Sequence, residues 1–126
     1  MTKSLHQNSA APKALVHVDS LEHMGRRFVD AWHRVEAGEP VDEAHVTFLD
    51  LETMLSTLSP RRLQLLRQVH RQSVDSTRDL AAALGRDYKN VHQDVAALEA
   101  VGLLVRDGRK LAAPWEEVQA SVSLAA

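Results

Sequence analysis

The chain has 126 residues, 44% of them hydrophobic and 25% charged, with no cysteine and a formal net charge of −2. That is one domain's length with room for an appended segment, and no run approaches the roughly 18–20 apolar residues of a membrane span. Zero cysteine excludes disulfides, thiol catalysis and cysteine-ligated zinc, and an acidic balance argues against a nucleic-acid partner.

Residues 1–12 show no periodicity and read as a flexible tail. The opening MTKSLHQNSA has no signal-peptide core, so a cytoplasmic protein is expected. Ala14-Leu15-Val16-His17-Val18 is a β-favouring run. Asp19-Ser20-Leu21-Glu22 fits a capping-box helix start. Leu21, Met24, Phe28, Trp32 and Val35 then recur at spacings of three and four, one face of an amphipathic helix. Gly38 and Pro40 stop that helix. His45-Val46-Thr47-Phe48 reads as a second strand, and Leu49 to Leu58 as a short helix carrying Leu51, Met54, Leu55 and Leu58.

Ser59-Pro60 supplies a cap followed by proline at the first helical position, where its missing N–H costs nothing. Leu63, Leu66 and Val69 stripe that helix, with Leu65 beside them. Ser76-Thr77-Arg78-Asp79 begins the next, which carries Leu80, Ala83 and Leu84 and closes at Gly85. Asp87 caps a third helix whose buried face is Val91, Val95 and Leu98, ended by Gly102. Leu103-Leu104-Val105-Arg106 and Arg109-Lys110-Leu111-Ala112 flank Asp107-Gly108, a strong hairpin signal. Val118, Ala120, Val122 and Leu124 alternate with polar residues, which suits a half-exposed strand.

Three short helices followed by a tight hairpin is the order of a winged helix-turn-helix, with Gly85-Arg86-Asp87 as its turn. In that motif the third helix enters the major groove. With Val91, Val95 and Leu98 inward, the opposite face is Lys89, Gln93 and Ala96, flanked by Asn90, Ala97 and His92. Lys89 suits guanine edges, and the amides of Asn90 and Gln93 match adenine. Arg86 precedes the cap, and Tyr88 lies nearer the buried side, placed for a phosphate or for packing. Arg106, Arg109 and Lys110 crowd the hairpin tip, and Arg61 and Arg62 sit at a helix N-terminus, all suited to backbone contact. Asp94 lies beside the buried stripe, where pairing with an arginine of a neighbouring helix is expected.

Charge by segment changes the first inference. Residues 60–110 hold ten Lys/Arg against six Asp/Glu, a net +4, and the remainder is −6. The protein reads as a basic part joined to an acidic part.

The stretch from Leu58 to Leu66, then Asp79 to Leu98, then Gly102-Leu103-Leu104 resembles small prokaryotic winged-helix proteins grouped with the MarR-like predicted transcriptional regulators. Some members of that group look like antitoxins of toxin–antitoxin pairs. The resemblance covers roughly residues 45–125, with Leu84 to Leu104 its most specific part. It implies a DNA-binding regulator and, for the antitoxin branch, a protein toxin as second partner.

The seven histidines form no HExxH or other tight ligand pair, and no serine sits in a nucleophile elbow. No metal, no cofactor and no enzyme activity are therefore expected. The fold class expected is mainly α with small β elements. A tail (1–12) precedes an N-terminal dimerisation segment (13–58), a winged helix-turn-helix (59–113), and a C-terminal strand and tail (114–126). Leu21, Met24, Phe28, Trp32, Val35, Val118 and Val122 are the expected dimer interface, since such regulators usually bind two half-sites as two-fold dimers. The expected partners are double-stranded DNA, a second copy of the chain and, in the antitoxin case, a toxin, with no membrane. The alternative is a protein–protein module that neutralises a toxin or other partner without touching DNA.

Overall fold

The computed structural model describes residues 12–37 and 43–124. In chain order the elements are β1 (Lys13–Val18), α1 (Leu21–Glu36), β2 (Glu43–Phe48), α2 (Leu51–Thr57), α3 (Pro60–Arg71), α4 (Thr77–Leu84), α5 (Tyr88–Ala100), β3 (Val105–Asp107), β4 (Lys110–Ala112) and β5 (Glu117–Val122). This mixed α and β chain divides into two compact units. One takes Met1–Met54 and Glu116–Ala126, the other Leu55–Trp115. The N-terminal tail through residue 11 and the expected helix stop at Gly38 and Pro40 lie outside the described residues.

The first unit is a three-stranded sheet in the order β2-β1-β5, parallel throughout. The register sets Ala14 beside Ala44 and Val118, Val16 beside Val46 and Ala120, and Val18 beside Phe48 and Val122. With side chains alternating across a strand, these residues make one apolar face. Lys13, Leu15, His17, Glu43, His45, Thr47, Glu117, Gln119 and Ser121 fall on the other, which is polar but for Leu15. The apolar face is buried at Ala14, Val16, Val46 and Phe48 and opens at β5, where Val122 is 47% exposed.

A parallel pair needs a crossover, and α1 supplies it between β1 and β2. Its polar side meets the polar sheet face. Arg27 donates to the Asp19 carboxylate at 3.1 Å and to Thr47 Oγ1 at 2.7 Å, and Arg34 approaches Glu43 at 3.9 Å. A cavity of about 410 Å³ lined by Arg27, Asp30, Arg34, Glu43 and His45 lies here. Of the apolar stripe, Phe28 and Trp32 are turned to solvent, 69% and 56% exposed. The side chains of Leu21, Met24 and Val35, the rest of that expected interface, lie outside the described residues.

Hydrogen bonds link four side chains across the polar face. Ser121 Oγ lies 3.2 Å from His17 Nδ1, His17 Nε2 lies 2.9 Å from His45 Nδ1, and His45 Nε2 lies 3.3 Å from Glu43. Partial burial holds the His17 pKa below its ordinary 6.5, helped by the charges of Arg27 and His45 and opposed by Asp19 and Glu43. The unfolded chain thus protonates His17 more readily than the folded one. Stability should fall as pH drops from 6.5 toward the lowered folded value. Thermal midpoints at pH 7.5 and pH 5.5 test this, with His17→Gln expected to flatten the difference. Parallel losses in both proteins would assign the effect to another group.

In the second unit each helix start is built locally. Ser59 Oγ accepts from the Arg62 N–H at 3.4 Å ahead of Pro60, Ser76 Oγ accepts from Asp79 N–H at 3.0 Å, and Asp87 accepts from Asn90 N–H at 3.3 Å. The caps satisfy amides that no earlier carbonyl can reach. Leu65, Leu66 and Val69 are the buried stripe of α3, while Leu63 is only half-buried. In α4 the buried pair is Leu80 and Ala81, and Ala83 is exposed. The expected stripes are thus rotated slightly, because the partner helices decide which edge of an apolar arc goes inside.

The α4–α5 turn depends on Gly85 at φ 64° and ψ 35°. Gly85 N–H reaches Ala82 O at 3.2 Å and Arg86 N–H reaches Ala81 O at 3.0 Å, the paired closure of a Schellman motif. A Cβ would meet nothing within 4 Å, so only the backbone conformation resists substitution. Gly85→Ala should cost about 1–2 kcal/mol in urea unfolding. A loss under about 0.3 kcal/mol would mean that the turn relaxes freely.

The hairpin differs from expectation by one residue. Asp107 pairs with Lys110, so Gly108-Arg109, not Asp107-Gly108, forms the turn. Only Gly108 has positive φ (68°), as a II′ turn requires, whereas Asp107-Gly108 at the centre would need positive φ at aspartate too. Val74, between α3 and α4, bridges to β4: Leu111 N–H donates to Val74 O at 2.8 Å, and Val74 N–H returns at 3.4 Å. His70 Nδ1 to Ala113 O at 2.7 Å and Trp115 Nε1 to Leu103 O at 3.2 Å tie the surrounding segments down.

Candidate nucleic-acid interface

Val91, Val95 and Leu98 on α5 are buried, as their spacing predicts. Lys89, Asn90, His92, Gln93 and Ala96 are exposed on the remaining surface, and Ala97 is half-buried. At 3.6 residues per turn, Lys89, Gln93 and Ala96 form one outward row. The side-chain donors and acceptors of Lys89 and Gln93, and of Asn90 beside them, are not drawn into the fold's own hydrogen bonds among the described residues, so this surface presents a lysine and two amides to an incoming ligand.

Asp94 fixes the rotation of that row. It accepts from Arg62 Nε of α3 at 3.0 Å and from Arg86 Nη2 of the turn at 2.7 Å. The pairing expected for Asp94 is present, and it takes two arginines rather than one. Arg62 also donates to the Ser56 and Thr57 carbonyls at 3.2 and 3.4 Å. Arg62, expected at the phosphate backbone, and Arg86, expected to touch DNA from just before the α5 cap, are therefore half-buried parts of a clamp that holds α5. A carboxylate next to two cations has no free charge to repel a polyanion.

The other basic candidates differ in how free they are. Arg106 donates twice to Glu99, at 2.9 and 3.2 Å, in a fork that is only partly shielded from water. Arg61, Arg109 and Lys110 are exposed, with Arg109 at the hairpin tip. Tyr88 stands exposed at the start of α5, not toward the core side. Its ring carries the Arg78 guanidinium 4.8 Å from the centroid, and His92 lies 5.7 Å away on its other contact. Cation–π stacking of this kind holds an arginine in place while leaving its N–H donors usable.

By sequence Arg78 contributes only to the charge of the basic segment and has no role of its own. Its position in the first turn of α4, just after a capped start, is the signal that could have found it. A helix N-terminus presents unpaired amides that favour an anion, and Arg78 adds a cation beside them. Arg78, Tyr88 and His92 thus form a cluster at the head of the Lys89, Asn90 and Gln93 row.

In the first unit, Phe28 and Trp32 are exposed, Val118 is half-buried and Val122 nearly half exposed. Among the described residues, no group of three or more His, Asp or Glu is placed to hold a metal ion, and no helix is long and apolar enough to cross a membrane. The protein-family model described as HVO_A0114 matches residues 57–120, slightly more than half of the chain. No curated protein and no solved structure matches it.

Proposed function

The chain belongs to the HVO_A0114 family, and we propose that it is a sequence-specific DNA-binding transcriptional regulator of winged helix-turn-helix type. It acts in the cytoplasm as a homodimeric repressor on a palindromic operator. The observation that carries this reading is the exposed Lys89, Asn90 and Gln93 row on α5, a helix held from behind by Val91, Val95, Leu98 and the Asp94 clamp. The order α3, Val74 bridge, α4, α5, β3-β4 hairpin supports it, being the order of a winged helix.

In this reading α5 lies in the major groove. Lys89 donates to guanine O6 or N7, and Asn90 and Gln93 offer the donor–acceptor pair that adenine matches. Arg61, Arg78, Arg109 and Lys110 sit against phosphates, setting register and affinity without reading sequence. Arg106 joins them only by leaving or sharing Glu99. Two copies place their α5 helices about 34 Å apart on one side of the duplex.

The resemblance to antitoxin-like regulators extends the proposal to an autoregulating antitoxin, with the acidic remainder of the chain suited to a basic toxin. The exposed Phe28 and Trp32 favour a protein surface as partner and keep the second reading, toxin neutralisation without DNA, in contention. Fluorescence anisotropy separates the two. The full chain is titrated into its own upstream DNA and into random duplex at about 50 and about 200 mM salt. Tighter binding to the upstream fragment, weakening steeply with salt, is expected. Equal indifference to both duplexes at low salt would overturn the regulator reading.

A further inference from the structure

The two edges of the first unit's sheet are not alike. β2 carries Glu43 and His45 along its edge, which blunts pairing by another chain. β5 carries one such charge, Glu117 at its start, and none beyond it. From Val118 to Leu124 it reads Val-Gln-Ala-Ser-Val-Ser-Leu, without charge or proline. Its Ser123 N–H is bonded to Val18 O at 3.3 Å. Backbone groups alternate sides along a strand, so Gln119, Ser121 and Ser123 turn theirs to β1. Val118, Ala120 and Val122 turn theirs away, to the open edge.

We propose that this edge pairs antiparallel with the β5 of a second copy, with the two-fold axis at Ala120. Ala120 then faces Ala120 of the partner subunit, and Val118 faces Val122 of the partner subunit. Each pair exchanges two backbone bonds, because these are the residues whose N–H and C=O both point outward. The two sheets become one, in the order β2-β1-β5-β5-β1-β2.

A second copy fits this edge better than an unrelated strand because β5 reads alike in both directions about Ala120. Apolar Val118, Ala120 and Val122 stay on one face, continuing the face that is buried at β1 and β2 and open at β5. Gln119 meets Ser121 of the partner subunit, and Glu117 meets Ser123 of the partner subunit, so no like charges oppose. Such an isologous contact closes at two copies and leaves only the charged β2 edges outside. The proposal rests on the homodimer reading and names its seam as the β5 edge, not the α1 stripe.

Sedimentation equilibrium of the full chain tests it. The wild type should run at twice the 14.0 kDa chain mass. Ala120→Pro removes an N–H that points away from β1, so it should leave the fold's circular dichroism intact and yield a monomer. Ala120→Lys and Ala120→Glu should each self-associate at least about five-fold more weakly, and mixing the two should restore a dimer. That rescue decides the matter even if the proline variant does not fold. A wild-type dimer unaffected by Ala120→Lys would overturn the seam and spare the homodimer, and loss of the dimer in Trp32→Ser instead would place the seam on α1. A monomeric wild type would overturn both. A dimer through this seam that ignored DNA would leave the seam standing and sink the regulator reading.

Discussion

Asp94→Ala should destabilise the second unit by about 3 kcal/mol. Asp94 is the shared acceptor of Arg62 and Arg86, and the three side chains are 13%, 22% and 17% exposed. Removing it leaves two cations largely shielded from water with no counter-charge. Breaking a fully buried pair in this way costs about 3–5 kcal/mol, and the residual exposure here favours the lower end. Arg86 Nη1 is already buried without a hydrogen-bond partner, so the guanidinium has little to fall back on. Asp94→Asn keeps one acceptor oxygen and should lose roughly half as much. Urea unfolding at neutral pH reads both. A change within about 0.5 kcal/mol for the alanine variant would mean that the clamp is only a surface ion pair. The same variant should also bind random DNA more tightly, because two arginines are freed toward phosphates while the reading row loses its fixed rotation.

On the proposed docking of α5 in the major groove, Gln93→Ala and Lys89→Ala should each cut the preference for operator over random duplex by about 1–3 kcal/mol, roughly five- to a hundred-and-fifty-fold. Both side chains are exposed on the outward row and bear on no part of the core, so stability should stay within about 0.5 kcal/mol of the wild type. Arg109→Ala at the hairpin tip should act differently. A lost phosphate contact weakens every sequence alike and lowers the slope of log affinity against log salt by about 1. The contrast carries the test. If Gln93→Ala and Arg109→Ala produced the same uniform loss, α5 would not be reading bases. If neither changed operator affinity, the docking geometry would be wrong.

Several features of this site are legible in the amino-acid sequence because they depend on neighbours a few residues apart. Ser59, Ser76 and Asp87 each cap a helix by accepting from an amide three residues on, and Gly85 ends α4 with bonds to Ala81 and Ala82. The Val91, Val95 and Leu98 stripe follows from 3.6-residue periodicity, and its complement gives the Lys89, Asn90 and Gln93 row. The hairpin is legible as a hairpin, but its register is not. Choosing between Asp107-Gly108 and Gly108-Arg109 needs the backbone to show which residues take positive φ.

The amino-acid order by itself determined where helices start and stop, which arcs are apolar and where basic and acidic charge is concentrated. These are set by local backbone geometry and by side-chain spacing, which travel with the chain. Tertiary structure alone decided what long-range partners claim. Arg62 and Asp94 stand 32 residues apart, and only the packing of α3 against α5 turns two expected DNA contacts, Arg62 and Arg86, into a clamp. His17 and Ser121 stand 104 apart, brought together because β5 returns to lie parallel to β1. The stripe on α1 reads as an apolar face by its spacing, and the crossover, which lays the helix's arginine side on the other sheet face, leaves Phe28 and Trp32 in solvent. Periodicity reports that an apolar face exists. Which surface it meets depends on the element folded against it, and no local pattern contains that.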